Sequence, residues 1–335
     1  MTDRPSEPDS RSGAITNLGH KLLVPFGLAL AVFIALALVS DYRELSKQMR
    51  LFDWSLMPAV LGLSLVNYGL RFWRWQLYLR ELAVDLSWCS SLGVFLVGFL
   101  LSVTPGKTGE LGKGWLVREL GGGKARNGVA AVLAERVTDI VGVLFLIALS
   151  AAFSLAPMWL AVGAGAMGAV VVLLVSWHRA AHWVIDFLER FPRLARFGEV
   201  LRNVYDSLHV LATGRALWVG LLLSIVAWGA EGVGFVIVAR SYQPDYSWAL
   251  GVFNYSVSTF AGALSMLPGG LGVAEGLLTA LMGLQGMETA VAASITLLVR
   301  GATLWFAVLI GALALPFVVR RLRRRSSDTS HQSTP

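Results

Sequence analysis

Cysteine is almost absent from this 335-residue sequence. Cys89 stands alone, so an intrachain disulfide and a cysteine metal cluster are both excluded. Charge is scarce as well: 15% of residues are charged against a hydrophobic fraction of 56% and a mean hydropathy of +0.65. A chain this poor in charge cannot clothe the two or three soluble domains that its length would allow. The catalytic signatures are missing too, with no Gly-x-Ser-x-Gly elbow and no Cys/His nucleophile pair. Gly106-Lys107-Thr108 has the ending of a phosphate-binding loop, but Leu101 stands where such a loop needs its first glycine. His178 and His182 have the spacing of helical metal ligands, yet no acidic residue completes the metalloprotease form. A solvated face is expected there, and no metal, nucleotide or other cofactor.

What is present is apolar length. A hydrocarbon core about 30 Å thick needs roughly 20 apolar residues per helix, and such stretches recur at Leu22 to Val39, Leu56 to Leu79, Val129 to Phe153, Trp159 to Trp177, Leu217 to Ala239 and Ile295 to Val319. The sequence predicts an all-α polytopic membrane bundle with six full spans. The first is an uncleaved helix, since its polar leader and apolar run are too long for a signal peptide. The net charge of +7 does not point to nucleic acid, because the basic residues flank hydrophobic segments as topology signals do.

Two further apolar stretches, Leu92 to Leu120 and Ala249 to Leu284, are each broken near the middle by a Pro-Gly pair, Pro105-Gly106 and Pro268-Gly269. Irregular backbone at membrane depth survives only inside protein or against a wet cavity. If both are re-entrant hairpins, one side collects the basic residues near both termini, Arg74, Arg80, Arg118, Lys124, Arg126 and those from Arg179 to Arg215. The other side keeps Arg43, Lys47, Arg50 and Arg240. That asymmetry obeys the positive-inside rule with both termini in the cytoplasm, as does a nine-span arrangement with the N-terminus outside; eight ordinary spans break it. The inner cell membrane is the expected location.

The two halves, about 55–155 and 215–320, also read as copies. Ser64-x4-Gly69-x-Arg71 matches Ser224-x4-Gly229-x-Glu231, Ser102-x2-Pro105-Gly106-x2-Gly109 matches Ser265-x2-Pro268-Gly269-x2-Gly272, and Arg136-x2-Asp139 matches Arg300-x2-Thr303. In the hairpin topology the copies are inverted, which is the arrangement of transporters that bind near the midplane. Residues 1–19 and 321–335 are expected to be disordered cytoplasmic tails around a single transmembrane domain, 20–320. Between the halves, 178–215 carries apolar residues such as Trp183, Phe187, Leu201 and Leu208 at helical spacing, as an interfacial segment would, with Pro192 and Gly198 bending or splitting it.

Charges within apolar spans cost roughly 2.5–3.5 kcal/mol each and need a reason. Arg71 and Arg74 either anchor at the interface or turn inward. Glu135, Arg136 and Asp139 share one helical sector and can pair internally. The Pro-Gly breaks direct unpaired N–H groups and a helix dipole inward, and with Lys107 alongside, the first is a candidate anion site. Glu110 and Glu275 follow their breaks closely enough to cap those N–H groups or to pair with Arg136 and Arg300. Candidate binding residues are therefore Arg71, Arg74, Pro105, Gly106, Lys107, Gly109, Glu110, Arg136, Asp139, Glu231, Pro268, Gly269, Gly272, Glu275 and Arg300.

Arg71-Phe-Trp-Arg-Trp75, Thr104-Pro-Gly-Lys-Thr-Gly-Glu110, Glu135-Arg-Val-Thr-Asp139, Leu267-Pro-Gly-Gly-Leu-Gly-Val-Ala-Glu275 and Arg300 occur in the order seen in one family. The chain resembles the flippase-like transmembrane domain of lysylphosphatidylglycerol synthases. The resemblance implies movement of a polar-headed lipid between leaflets, without the synthase domain that attaches lysine. Two other readings stay open: a transporter of a small ion or metabolite coupled through Glu110, Asp139, Glu231 and Glu275, and a non-transporting partner of a lipid-biosynthesis enzyme.

Overall fold

The computed structural model describes residues 42–331 except 122, 155–156 and 191–197, without the side chains of 42, 105–107, 180, 188 and 326–331. The expected span Leu22 to Val39 and the tail 1–19 lie outside the described residues. Among those residues there is no β-strand. A short helix α1 (Tyr42–Leu51) is followed by α2 (Met57–Glu81), the two bent by 63°. Asp53 makes the corner: its carboxylate accepts from the Ser55 backbone N–H at 3.0 Å, and Pro58 fits the first turn of α2, where no N–H is needed.

Long helices occupy the other expected spans. They are α5 (Ala125–Ala152), α6 (Met158–Ser176) and α9 (Arg215–Tyr242). The last span is longer than its apolar core suggests: α12 (Thr289–Arg300), a π turn (Gly301–Trp305) and α13 (Phe306–His331) run on without a break. Met158–Ser176, Arg215–Tyr242 and Thr289–Arg325 are each long and apolar enough to cross a bilayer, as is the bent pair ending at Glu81. At 28 residues, α5 is roughly 42 Å long, and its apolar run is interrupted by Glu135, Arg136 and Asp139. The C-terminal helix passes the boundary expected at 320 and continues to His331, through an arginine-rich run with good helix propensity.

The two Pro-Gly stretches fold as short helices meeting at a corner. The first is α3 (Trp88–Leu101), a 3-10 turn (Pro105–Leu111) and α4 (Gly112–Glu119); the second is α10 (Trp248–Leu264), a 3-10 turn (Pro268–Gly270) and α11 (Val273–Leu284). At 1.5 Å per residue, α3, α4 and α11 are roughly 21, 12 and 18 Å long, well short of the hydrocarbon thickness. The connecting segment is split as Pro192 and Gly198 suggest, into α7 (His178–Glu189) and α8 (Gly198–Ala212).

The two largest of four apolar clusters among the described residues surround the Pro-Gly stretches. One gathers Tyr68, Phe72, Trp75, Phe95 and Phe99 around the first Pro-Gly stretch, and the other gathers Phe235, Tyr255, Leu278, Met282 and Ile295 around the second. Helix α2 packs on α9 between them. Helix α6 turns Trp159, Val162, Leu173 and Leu174 outward and buries little beyond Ala161 and Gly168, the pattern of a helix whose outer face meets lipid. The polar groups described next lie where the two cores adjoin.

Candidate functional site

Asp139, in the middle of α5, collects three guanidinium groups. Arg74 Nη1 lies 2.8 Å from Oδ1, and Arg136 Nη2 and Arg71 Nη2 lie 3.1 and 3.7 Å from Oδ2. Ser224 Oγ and Trp228 Nε1, both on α9, donate to Oδ1 at 3.2 and 3.0 Å. Arg71 and Arg74 project from α2, so one carboxylate joins three helices. Arg136 also reaches back to the first Pro-Gly stretch, 3.3 Å from Glu110 Oε2. Arg71 is sandwiched between the rings of Phe99 and Trp228, 5.5 and 5.6 Å from their centroids, and the ring quadrupoles favour its charge there.

Of the two readings of Arg74, interface anchor or inward-facing charge, this geometry selects the second. The Arg74 side chain is fully buried and Trp75 is buried with it, whereas Trp73 on the opposite face is exposed. Arg74 therefore does not belong among the topology-signalling arginines, though the asymmetry survives its removal. The internal pairing expected in α5 is realised only for Arg136 and Asp139. Glu135 turns instead to Lys113 on α4, at 2.6 Å, and Lys113 rests over the Trp75 ring at 4.3 Å. Glu135 was visible as an intramembrane charge, but nothing in its spacing of 22 residues from Lys113 marks the two as partners.

The second Pro-Gly stretch has the corresponding tether. Arg300, the last residue of α12, donates through Nε to Glu275 Oε1 at 2.5 Å and through Nη2 to the Gly269 carbonyl at 2.7 Å. Glu275 also caps the Gly272 N–H at 2.6 Å, so the two roles foreseen for it coexist. In the first stretch Thr104 Oγ1 caps the Gly109 N–H at 2.7 Å, leaving Glu110 for Arg136. Gly269, Gly270 and Gly272 take positive φ of 62°, 68° and 87°, the conformations that let this turn double back. Pro105 and Gly106 begin the first 3-10 turn, and Pro268 and Gly269 the second; the Lys107 side chain lies outside the described residues.

The two turns touch each other. A Cβ at Gly269 would meet Val103 Cγ1 at 3.4 Å and Leu304 Cδ2 at 3.2 Å. Further contacts join positions that the sequence matches between halves. The Asn67 side chain donates to the Ala227 carbonyl at 2.9 Å, and this pair has the same offset as Ser64/Ser224 and Arg71/Glu231. Trp228 reaches Asp139, while Tyr68, its counterpart, donates to the Thr303 carbonyl at 2.6 Å in the π turn. Glu231, buried opposite Arg71 in this matching, accepts from Tyr255 at 2.6 Å. Tyr68, Tyr255 and the π turn carried no sequence signal, whereas Thr104 was legible as the first residue of a family motif and Ser224 as a repeat marker.

Among the described residues, Nε of Arg71, Nε and Nη2 of Arg74 and Nε of Arg136 are buried without an acceptor from the chain. The ion pairs on Asp139 are close but not all aligned as hydrogen bonds, since Arg74 Nη1, Arg136 Nη2 and Asp139 Oδ2 also lack one. Three arginines face Asp139 and Glu110, which leaves an excess of N–H donors at this point.

Comparison with known proteins places the chain. The family described as the lysylphosphatidylglycerol synthase TM region matches residues 26–311. The chain belongs to that family. The family segment contains the Asp139 cluster, both Pro-Gly turns and Arg300. Similar proteins include a UPF0104 membrane protein of Methanothermobacter thermautotrophicus, 21% identical and covering 89% of this chain and 96% of its own length. UPF0104 membrane proteins of Pyrococcus horikoshii, 24% identical over 87% of this chain and 95% of theirs, and of Methanocaldococcus jannaschii, 23% identical over 70% and 100%, are similar as well. The chain is thus a multi-helix membrane protein of the lysylphosphatidylglycerol synthase TM family.

Proposed function

We propose that this family member is a lipid translocase, not an enzyme, that carries a polar-headed, phosphorylated lipid between the leaflets of the inner cell membrane, with both termini cytoplasmic. The observation that carries the reading is the set of unused guanidinium N–H groups on Arg71, Arg74 and Arg136 beside two touching Pro-Gly turns. A buried N–H without an acceptor costs about 1–3 kcal/mol, more for a charged group. A phosphate oxygen supplies the acceptors that Asp139 alone cannot, with geometry matched to the guanidinium fork.

The tethers suggest how binding is linked to movement. Arg136 holds the first turn through Glu110, and Arg300 holds the second through Glu275 and the Gly269 carbonyl. An arriving phosphate competes with Glu110 for Arg136, loosening the turn at the moment the head group is bound. We take the two stretches as re-entrant hairpins of an inverted repeat, for which the matched contacts Asn67 to Ala227, Trp228 to Asp139 and Tyr68 to Thr303 are the support. Alternating access then comes from rocking one repeat on the other, while the acyl chains stay in lipid.

Reconstitution of the purified protein with fluorescent phospholipids of several head groups tests this. Leaflet exchange above that of empty vesicles, reduced in Arg136→Gln, is expected; exchange at the empty-vesicle rate for every head group overturns it. A small-solute transporter is the second reading, favoured by Glu231, a buried carboxylate held by Tyr255 rather than by an ion pair among the described residues. Gradient-driven uptake of a soluble ion or metabolite without lipid exchange would select it.

A further inference from the structure

We propose that the hairpin of α7 and α8 carries a divalent transition-metal site built from His178, His182 and Asp206, with His209 as the adjoining fourth ligand. His178 and His182 stand four residues apart on one face of α7, the spacing that puts two imidazoles side by side. Their rings are 4.2 Å apart and 33° from parallel. The nearest acidic residue in sequence, Asp186 one turn beyond His182, pairs with Arg202 at 2.9 Å instead, and without the metalloprotease form the pair reads as a solvated face. Folding supplies the third ligand from 24 residues further on: Asp206 Oδ1 lies 3.1 Å from His182 Nε2 and 3.7 Å from His178 Nε2.

These distances are those a metal requires. With metal–ligand bonds of about 2.0–2.1 Å, the edge of a tetrahedral site is roughly 3.4 Å, and the two measured edges fall either side of it. All three ligand atoms lie within 4.8 Å of one another, so rotations of two side chains close the third edge. His209, one turn beyond Asp206 on α8, presents its ring edge-on to His178 at 5.1 Å. Its Nδ1 is buried with no hydrogen-bond partner among the described residues, an orphaned imidazole nitrogen beside a three-ligand cluster.

The scaffold holds the ligands in place. Arg202 bridges Asp186 at 2.9 Å and Glu189 at 2.5 Å on α7, and Tyr205 donates to the Val175 carbonyl at 3.1 Å. Two imidazoles with a carboxylate suit zinc, cobalt or nickel rather than calcium or magnesium, which take oxygen ligands. A bound ion would clamp α7 to α8.

The test uses the full chain, purified in detergent with a tag free of histidine and stripped by chelator. Cobalt(II) is titrated while its tetrahedral absorption is followed, then displaced with zinc. The expected result is one cobalt per chain, with affinity lowered more than tenfold in His182→Ala and in Asp206→Asn. His20→Ala and His331→Ala should leave it unchanged, and gel filtration should report all variants as folded. Absence of saturable binding, or loss of binding only in the His20 and His331 variants, overturns the proposal. His209→Ala reads the fourth position: a changed cobalt spectrum at retained stoichiometry supports it as ligand, and an unchanged spectrum removes His209 from the site.

Discussion

Asp139→Asn is the most informative single change. The substitution keeps the shape and removes the carboxylate that Arg74 pairs with, leaving three guanidinium groups within 3.7 Å of a neutral amide. At an effective dielectric of about 20, one charge pair at 3–4 Å is worth roughly 4–6 kcal/mol before desolvation. The three do not add, because the arginines also repel one another. Removing one partner of a buried pair costs about 3–5 kcal/mol, and that is the expected loss. For a chain of this size it lowers the midpoint of thermal unfolding on the order of 5–10 °C, read by fluorescence-detected gel filtration after heating in detergent. Arg74→Met should cost less, because Asp139 keeps Arg136 and Arg71 while a buried charge is exchanged for apolar volume. The double variant should be less damaged than the sum of the singles by at least about 1 kcal/mol. The order is the refutable part. If Asp139→Asn melts within about 1 °C of the parent, or Arg74→Met is the worse of the two, Asp139 is not the hub of this cluster.

Two further outcomes follow from the tethers and turns. Arg300→Gln removes the ion pair to Glu275 but leaves the Gly272 cap, so lipid exchange in proteoliposomes should fall at least tenfold while the detergent-solubilised fold persists; exchange at the parental rate would separate the second turn from transport. Gly109→Ala would place a Cβ 2.8 Å from the Leu101 carbonyl oxygen and 2.7 Å from Thr104 Oγ1, displacing the cap of the first turn, and about 1–3 kcal/mol of destabilisation is expected in the same melting assay. Full parental stability there would mean that the turn is looser than its hydrogen bonds indicate.

How much of this was legible before folding depends on the range of the signal. Apolar length located the helices because the bilayer imposes a fixed thickness, and the Pro-Gly pairs located both turns because proline and positive-φ glycine are local requirements. The partners were not local. The sequence could offer Arg136 to Glu110 only as one of two roles, and Lys113 and Glu135 sit on successive helices with nothing in one chain's spacing to rank their pairing above others. Arg74 stayed between two readings because a Trp-rich segment near a span end looks like an interfacial belt, and only helix phase, with Trp73 outward and Arg74 inward, separates the two cases. The π turn after Arg300 has no compositional signature. It changes the phase of α12 against α13 where the Thr303 carbonyl meets Tyr68, and single-turn π insertions of this kind occur often at functional sites.

The proposed inverted repeat makes a demand on motion that crosslinks can test. Asn67 and Ala227 are matched to each other, so in the proposed repeat their contact lies on the axis relating the halves, where a rocking movement displaces atoms least. Val103 and Gly269 meet between the two turns, which the proposed movement must separate. Because Cys89 is the only cysteine, one substitution yields a background free of thiols. In that background, a crosslink between Asn67→Cys and Ala227→Cys should leave most lipid exchange intact. A crosslink between Val103→Cys and Gly269→Cys should abolish it until the bond is reduced, and the uncrosslinked Gly269→Cys protein controls for strain at a positive-φ position. Equal inhibition by both crosslinks would mean that the α2 and α9 contact itself opens, which is incompatible with rocking about that axis. Inhibition by neither would mean that the turns stay together throughout the cycle, and the head group would then have to pass on another side of the Asp139 cluster.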